Sequence, residues 1–293
     1  MSNHYQFHVG ELECTALCDG TLPYPPKWFF SNAPADELAN ELRARQLPTD
    51  HVLSPYTCLL VRSGKECVLI DTGSGGMAPG TGQLQQTLQE AGVGAKQVTT
   101  VLLTHAHPDH IGGVLEQSGK PAFPGARYVM NKAEHDFWTS SPSLDGLAVE
   151  PFIKEMMLEG VRRNLPPLKP WLELMEGETE VTPGVRVLSA PGHTPGHIAV
   201  LLSSGSEQLL HLADSVLHPL HLAHPEWRAA FDMDSEAAGK TRQRLLDQAV
   251  ADRIPVHAYH FPFPGHGVIS KREQGWAWQP QIGAAARRAD NVA

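Results

Sequence analysis

The stretch TTVLLTHAHPDHIGG, residues 99–113, most restricts what this chain can fold into. Its apolar first half predicts a short buried strand, which ends abruptly in polar side chains. His105, His107, Asp109 and His110 follow one another within six residues. A strand that ends in a polar loop is where α/β proteins place their functional sites. Because imidazole and carboxylate together suit zinc or a similar first-row ion, this loop predicts a metal site.

Two later segments repeat the pattern of a strand followed by a candidate ligand. In VRVLSAPGHTPGH, residues 185–197, a predicted strand leads into a Pro-Gly turn with His193, and His197 follows four residues later. In EQLLHLADSVL, residues 207–217, the strand ends at Asp214. A catalytic zinc ion keeps one coordination position open for water, so these ligands exceed what one ion needs. We therefore expect two metal ions, with Asp214 as a carboxylate that they share.

Short apolar runs alternate with amphipathic segments along the chain. Residues 83–92 and 236–250 carry apolar side chains at helical spacing and predict helices. We expect a single α/β domain over residues 1–293, in which PSLDGLAVEPF and NLPPLKPW interrupt the pattern between two halves. The strand candidates are YTCLLV, ECVLID, TTVLLT, ARYVMN, VRVLSA, HIAVLL and QLLHLA.

An early segment differs in composition from the rest. TLPYPPKWFFSNAP, residues 21–34, is so rich in proline and aromatic residues that we predict an ordered loop without regular secondary structure. The wider segment, about residues 21–56, is expected to lie over the site or at the interface of a homodimer.

The charge balance excludes some partners. The chain has 23 Lys and Arg against 32 Asp and Glu, which gives a net charge of -9. This charge would repel a phosphate backbone or an anionic membrane, so we expect neither nucleic acid nor membrane as a partner. The first residues, MSNHYQFHVG, have no basic and apolar leader pattern, which predicts a cytoplasmic protein. The partner that we expect is a small-molecule substrate.

The combination of THAHPDH, GHTPGH and LADS resembles the metallo-β-lactamase-fold hydrolase superfamily, in the family's order along roughly residues 50–265. The resemblance implies a four-layer αββα sandwich with the site at one edge of two packed sheets. It also implies that Asp71 in LIDTG orients a ligating imidazole by accepting its outer N–H. The implied ligands are His105, His107 and His193 for one metal, Asp109, His110 and one late histidine for the other, and Asp214 for both.

Six histidines after Asp214 could complete the second ligand set. IPVHAYHFP, residues 254–262, predicts a last strand that ends near His260. The other candidate ligands likewise follow the end of a strand. The sequence AYHFPFPGHG is similar to the branch that contains methyl parathion hydrolase and its lactonase-like relatives, in which the histidine before the Pro-Phe-Pro run is the ligand. We therefore predict His260, with His266 as the alternative and His257 facing away. The roles of His197, His218, His221 and His224 stay open between pocket wall, hydrogen bonding and structure.

The expected chemistry is hydrolysis by a hydroxide that bridges two divalent ions, most simply zinc, with Mn, Fe or Co as alternatives. Asp109 is the expected proton shuttle, because its carboxylate would lie beside the bridging water. Aromatic residues favour hydrophobic esters, lactones or organophosphate triesters as substrates. The candidate pocket residues are Trp28, Phe29, Phe30, Leu217 and Phe263.

Other functions remain as alternatives. One alternative is an acyl-homoserine lactonase. Many such enzymes of the superfamily carry a tyrosine three residues after the bridging aspartate, whereas this chain has Leu217 there, which weakens this alternative. A thioesterase like glyoxalase II would need a basic helical domain after His260, for which few residues remain. A sulfur dioxygenase would hold a single iron ion. A metal-stabilised binding or sensor protein would bind metal without turnover.

Overall fold

The first half of the chain forms a seven-stranded sheet in a computed structural model that describes residues 2–281. The spatial order of the strands follows their order in the chain. The first four pair antiparallel and the last four pair parallel. The strands are β1 (His4–Val9), β2 (Leu12–Tyr24), β3 (Val52–Ser63), β4 (Glu66–Ile70), β5 (Thr100–Leu103), β6 (Arg127–Asn131) and β7 (Leu172–Met175).

The second half forms another seven-stranded sheet, in the order β14-β13-β12-β11-β10-β9-β8. Its neighbouring strands are antiparallel except for β11 and β12, which are parallel. The strands are β8 (Glu180–Thr182), β9 (Val185–Ser189), β10 (Ile198–Ser204), β11 (Glu207–His211), β12 (Val256–His257), β13 (His266–Lys271) and β14 (Trp276–Pro280).

Helices connect the strands and cover the outer faces of both sheets. Two short 3-10 helices, Ala95–Gln97 and Ala213–Ser215, supplement the α-helices. The α-helices are α1 (Pro26–Phe29), α2 (Ala35–Ala44), α3 (Leu84–Glu90), α4 (Pro108–Ile111), α5 (Lys132–Thr139), α6 (Pro151–Leu168), α7 (Leu220–Ala223) and α8 (Ser235–Ala251).

The two sheets pack face to face because alternate strand residues point to opposite faces. Val61 of the first sheet and Val187 of the second lie in one apolar layer between the sheets. Leu60, the neighbour of Val61, lies instead in the layer between the first sheet and its helices. Leu245 of α8 packs on the outer face of the second sheet. These layers form an αββα sandwich, so the predicted fold class is confirmed.

Parallel pairing brings several strand ends to one edge of the sandwich. In the first sheet, β4 and β5 run side by side, so Asp71 and His105 leave neighbouring strands at the same end. In the second sheet, β11 and β12 are also parallel, so the segments that lead to Asp214 and His260 leave them at the same end. The site is therefore assembled where the carboxyl ends of these strands meet.

The predicted last strand over 254–262 is wrong, because only Val256 and His257 are in a strand and two more strands follow. The Phe-Pro-Phe-Pro run forms a turn that reverses the chain, in which Ala258 N–H donates to Gly265 O at 2.9 Å. Prolines lack the N–H that a strand ladder needs, so the ladder stops before them. The chain then returns as β13 beside β12.

The predicted loop over residues 21–34 is also partly wrong. Strand β2 continues to Tyr24, and Pro26 begins the one-turn helix α1. β1 pairs only with Leu12–Leu17, so the later part of β2 has an open edge that tolerates Pro23. A proline in the first turn of a helix loses no hydrogen bond, which explains the start at Pro26.

Helix α6 occupies most of the region predicted to break the pattern between the two halves. Its buried residues Ile153, Met157, Val161 and Leu165 are spaced four apart and pack on the first sheet. This apolar stripe holds the helix through its last turn, although Pro166 and Pro167 lack backbone donors there. The expected domain over 1–293 extends beyond the described residues at both ends.

Candidate metal centre

One group of side chains combines the loop after β5 with the segments after β9 and β11. His193 Nε2 lies 3.0 Å from His107 Nδ1 and 3.2 Å from Asp214 Oδ2. His105 Nε2 lies 3.7 Å from the same Asp214 oxygen. These four side chains are buried, and one potential ligand atom of each lies within 4.8 Å of those of the others. The structure thus brings together the residues predicted for the first metal.

A second group lies beside the first and consists of Asp109, His110 and His260. His260 Nε2 lies 3.5 Å from Asp109 Oδ2, and His110 Nε2 lies 3.8 Å from the same oxygen. Of the late histidines, His260 is the one that the structure places here. His266, the predicted alternative, instead stacks on Phe7 with ring centroids 4.2 Å apart.

Asp214 touches both groups. Its Oδ1 lies 3.2 Å from His110 Nε2, and its Oδ2 lies 3.2 Å from the Nε2 atoms of both His193 and His260. The carboxylate is nearly fully buried. This is the position that a carboxylate shared by two cations requires.

Asp71 holds two of the imidazoles from the outside. His110 Nδ1 lies 2.8 Å from Asp71 Oδ2, and the Thr104 hydroxyl donates to the same oxygen at 2.7 Å. His105 Nδ1 in turn lies 3.1 Å from the Thr104 hydroxyl. Asp71 adopts a φ of 61°, a conformation that is uncommon outside glycine and that often marks functional sites. Asp71 thus contacts His110 directly and His105 through Thr104, and its orienting role stays a prediction.

The other two histidines that contact Asp214 are held in the same manner. His193 Nδ1 lies 2.9 Å from Asp232 Oδ1, and the buried Arg242 guanidinium lies 3.8 Å from the other Asp232 oxygen. His260 Nδ1 lies 2.8 Å from the Ser54 hydroxyl and 3.1 Å from Pro55 O. An N–H on each Nδ1 leaves Nε2 with a lone pair that points inward.

The inner atoms therefore face one another as acceptors. The Nε2 atoms of His105 and His110 and the Oδ1 of Asp214 are buried and have no hydrogen-bond partner among residues 2–281. Buried lone pairs that face each other at these distances require positive charge between them. Imidazole and carboxylate donors suit a first-row divalent metal, so the residues present fit a binuclear metal centre.

The electrostatics of the site favour an ionised Asp214. Its burial would raise the pKa of the carboxyl, but His110 and His260 outweigh burial and hold the pKa well below the usual value. Burial would lower the pKa of His193, yet hydrogen bonds to Asp214 and Asp232 raise it to about 9. Burial and neighbouring histidines lower the pKa of His105 well below its usual value. The ionised Asp214 and Asp232 thus attract positive charge to the neighbouring imidazoles, whether that charge is a proton or a metal ion held by the Nε2 lone pairs.

Glu134 connects the two ligand loops and was not anticipated from the sequence. Its Oε1 accepts hydrogen bonds from Ala106 N–H at 2.9 Å and Trp138 Nε1–H at 2.7 Å. Its Oε2 accepts from the Thr194 hydroxyl at 2.6 Å and Gly196 N–H at 2.9 Å. The buried carboxylate thus ties the loop of His105 and His107 to the loop of His193. No local sequence pattern marks this glutamate.

The remaining histidines near the site are engaged in other contacts. His197 Nδ1 lies 3.0 Å from Ala190 O, and its Nε2 accepts from Asp214 N–H at 3.1 Å, so both nitrogens are used. His211 and His257 form a buried pair with their Nδ1 atoms 2.8 Å apart. The other three contact backbone or aromatic groups: His218 with Leu220 N, His221 with Phe29 O and His224 with the Trp227 ring.

A cavity of about 150 Å³ opens onto both ligand groups. Of the predicted pocket residues, Trp28, Phe29 and Leu217 line this cavity. Phe30 and Phe263 do not, which corrects the pocket role predicted for them. Phe30 turns away into a buried cluster with α7, and Phe263 belongs to the turn before β13. The lining residues that the sequence did not single out include Leu22, Tyr24, Ile153, Met156, Met157 and Phe231.

Comparison with known proteins agrees with this fold. Residues 52–269 match the family model of the metallo-beta-lactamase superfamily. An N-acyl homoserine lactonase of a Bacillus species is 26% identical over 239 residues, which cover 74% of this chain and 83% of the relative.

Two solved structures are similar over nearly the whole length. AidC, a dizinc quorum-quenching lactonase in complex with a product, is 30% identical with a TM-score of 0.91, and the match covers 96% of this chain and 98% of AidC. AbOPH, a hydrolase in the beta lactamase superfamily, is 27% identical with a TM-score of 0.87 at the same coverage of both chains.

The αββα sandwich with paired histidine and aspartate groups at one edge defines a metal-dependent hydrolase. The chain belongs to the metallo-β-lactamase superfamily, as its sequence motifs predicted. Among residues 2–281, none of the helices has the length and apolar character needed to cross a membrane.

Replacement of Glu134 by glutamine tests the connection between the ligand loops. The side chain of the glutamine has an NH₂ group in place of one carboxylate oxygen. The donors that now bond to that oxygen of Glu134 would face N–H groups instead. We expect a loss of about 1–3 kcal/mol in the free energy of unfolding for each donor left unpaired. Denaturant unfolding measures this loss, with Glu207→Gln at an exposed strand end as the control. A loss no larger than that of the control would contradict the role of Glu134.

Proposed function

We propose that this protein uses two divalent metal ions to hydrolyse lactones or esters that carry an apolar chain. The observation that carries the proposal is that both ligand groups open into a cavity with largely apolar walls. The lactonase activity of the relatives supports cyclic esters as the favoured class. Aryl phosphotriesters are a second candidate, because the rings of Trp28, Phe29 and Phe231 line the cavity and can pack on an aryl group.

The proposal assigns one ligand set to each ion. Imidazole and carboxylate ligands favour zinc, with Mn, Fe and Co as alternatives. When bound, two such ions lower the pKa of water toward neutrality and polarise a carbonyl group. The sets are His105, His107 and His193 for one ion, Asp109, His110 and His260 for the other, and Asp214 for both.

Asp109 is the proposed proton shuttle. It lines the cavity, and its side chain is 16% exposed, whereas that of Asp214 is 3% exposed. The Tyr259 hydroxyl donates to Asp109 O at 2.7 Å, and the Tyr259 ring stacks on His110 with centroids 4.0 Å apart. Tyr259 thus fixes the backbone of Asp109, so that a partly exposed carboxylate faces the substrate and can pass a proton to a departing oxygen.

The cavity walls restrict the substrate further. None of the described residues that line the cavity is lysine or arginine. A strongly anionic substrate would therefore meet no positive side chain outside the metal centre, which disfavours a glutathione thioester. The methionine and leucine side chains of the wall provide an adaptable apolar surface for an alkyl or acyl chain.

A substrate panel tests the proposed function. Lactones, aryl esters and phosphotriesters, each with a short and a long apolar chain, would be compared with metal-replete and chelator-treated protein. We expect the highest kcat/KM for a lactone with an apolar chain, loss of turnover with the chelator and recovery with zinc. Full metal content without turnover of any compound would indicate a binding or sensor protein instead. One iron ion per chain would also contradict the proposal.

His260→Ala tests the assignment of the late ligand. The variant removes one nitrogen from the second group and leaves the first group intact, so we expect selective loss of one metal ion. Loss of a residue that only supports a metal ligand lowers activity by up to about 100-fold. Because this variant lacks a ligand itself, we expect its turnover to fall by more than that. Elemental analysis and thermal unfolding measure metal content and folding. His266→Ala is the control and should keep both ions; two ions and wild-type rates in His260→Ala would refute the assignment.

A further inference from the structure

Tyr24 is a polar group in an otherwise apolar part of the cavity wall. Of the other polar side chains that line the cavity, Ser54 already has a partner in His260 Nδ1. The indole Nε1 of Trp28 has no hydrogen-bond partner among residues 2–281, but it is buried and is not exposed to the cavity. The remaining polar lining residues are His107, Asp109, His193, Asp214 and His260, which belong to the two ligand groups.

The hydroxyl of Tyr24 contacts the hydroxyl of Tyr56. Tyr56 is fully buried, and among residues 2–281 its hydroxyl makes no hydrogen bond other than this one. A buried hydroxyl that cannot donate its proton loses free energy, so Tyr56 donates and Tyr24 accepts. The proton of Tyr24 is then not needed by Tyr56 and is available to the cavity.

Tyr24 stays a donor over the physiological pH range. Burial raises the pKa of its phenol far above the usual value. A protonated phenol has one O–H to donate, and with the oxygen occupied by Tyr56 its proton points away from that contact.

The aromatic neighbours of Tyr24 fix its position next to the second ligand group. Its ring centroid lies 5.6 Å from that of Phe29 and 5.8 Å from that of Trp28. Phe29 and Tyr56 in turn lie with ring centroids 6.5 Å and 5.6 Å from that of His260. Packing on several sides leaves the phenol little rotational freedom, which lowers the entropy cost of a directed hydrogen bond.

We propose that Tyr24 donates a hydrogen bond to an oxygen of the bound substrate beside the scissile bond, and that Tyr56 is a positioning residue for it. The inference rests on the proposed function, because a lactone or ester supplies the acceptor oxygen. It gives the cavity a specificity-determining donor, while the nearby Leu217 offers only apolar contact. Substrates that lack an acceptor at this place would bind less well, because the Tyr24 proton would remain unpaired.

Tyr24→Phe removes the donor and keeps the ring. We expect kcat/KM for the best lactone to fall about tenfold, as for one lost hydrogen bond in a dry site. Binding of the corresponding lactam, which keeps the carbonyl acceptor but resists hydrolysis, should weaken by about the same factor in calorimetry. Metal content should not change. Tyr128→Phe, which removes a buried hydroxyl bonded to Val114 O away from the cavity, is the matched control and should change neither quantity.

The combination with Tyr56→Phe tests whether Tyr56 acts through Tyr24. We expect about a threefold loss in Tyr56→Phe, because the donor remains but loses its orientation. The double variant should be no worse than Tyr24→Phe alone, since both changes affect the same hydrogen bond. Losses that multiply in the double variant would overturn the positioning role of Tyr56.

The two readouts separate this inference from the proposed function. If the wild-type protein binds the lactam about tenfold more tightly than Tyr24→Phe but hydrolyses no lactone or ester, the inference holds and the proposed function fails. If the wild-type protein hydrolyses lactones and Tyr24→Phe stays within twofold of it in both kcat/KM and lactam affinity, the inference is overturned and the proposed function stands.

Discussion

Buried acceptor atoms that converge on one carboxylate are the constraint on which the rest of this structure depends. The Nε2 atoms of His110, His193 and His260 each lie 3.2 Å from an Asp214 oxygen. Their outer nitrogens face Asp71, Asp232 and the Ser54–Pro55 segment, so the inner nitrogens present lone pairs. Away from water, such a set is stable only around positive charge. The stability of this edge of the sandwich and the binding of cations are therefore linked.

The sandwich solves the problem of bringing these groups together with short segments. Parallel pairing of β4 with β5 and of β11 with β12 aligns the strand ends from which the ligand loops leave. Buried carboxylates then fix the loops from behind, and Glu134 alone accepts four hydrogen bonds from two of them. The early segment and α6 contribute an apolar wall on the open side, and apolar surroundings strengthen the electrostatic interactions of a site.

The sequence predicted those parts of the fold and site that depend on local patterns. The motif around His105 identified the family, and strand ends predicted where ligands would lie. Contacts between distant segments have no such local pattern, so Glu134 and the pair of Tyr24 and Tyr56 emerged only from the structure. Errors arose where tertiary packing outweighs local preference, as in α6, whose apolar stripe carries the helix through Pro166 and Pro167.

Asp214 is proposed to lie between two cations that the two ligand groups hold. Anomalous diffraction from crystals grown with zinc, recorded on both sides of the zinc absorption edge, tests it most directly. We expect two anomalous peaks separated by about 3.5–4 Å, one beside His105, His107 and His193 and the other beside Asp109, His110 and His260. A single peak, or peaks that do not contact Asp214, would contradict the proposal.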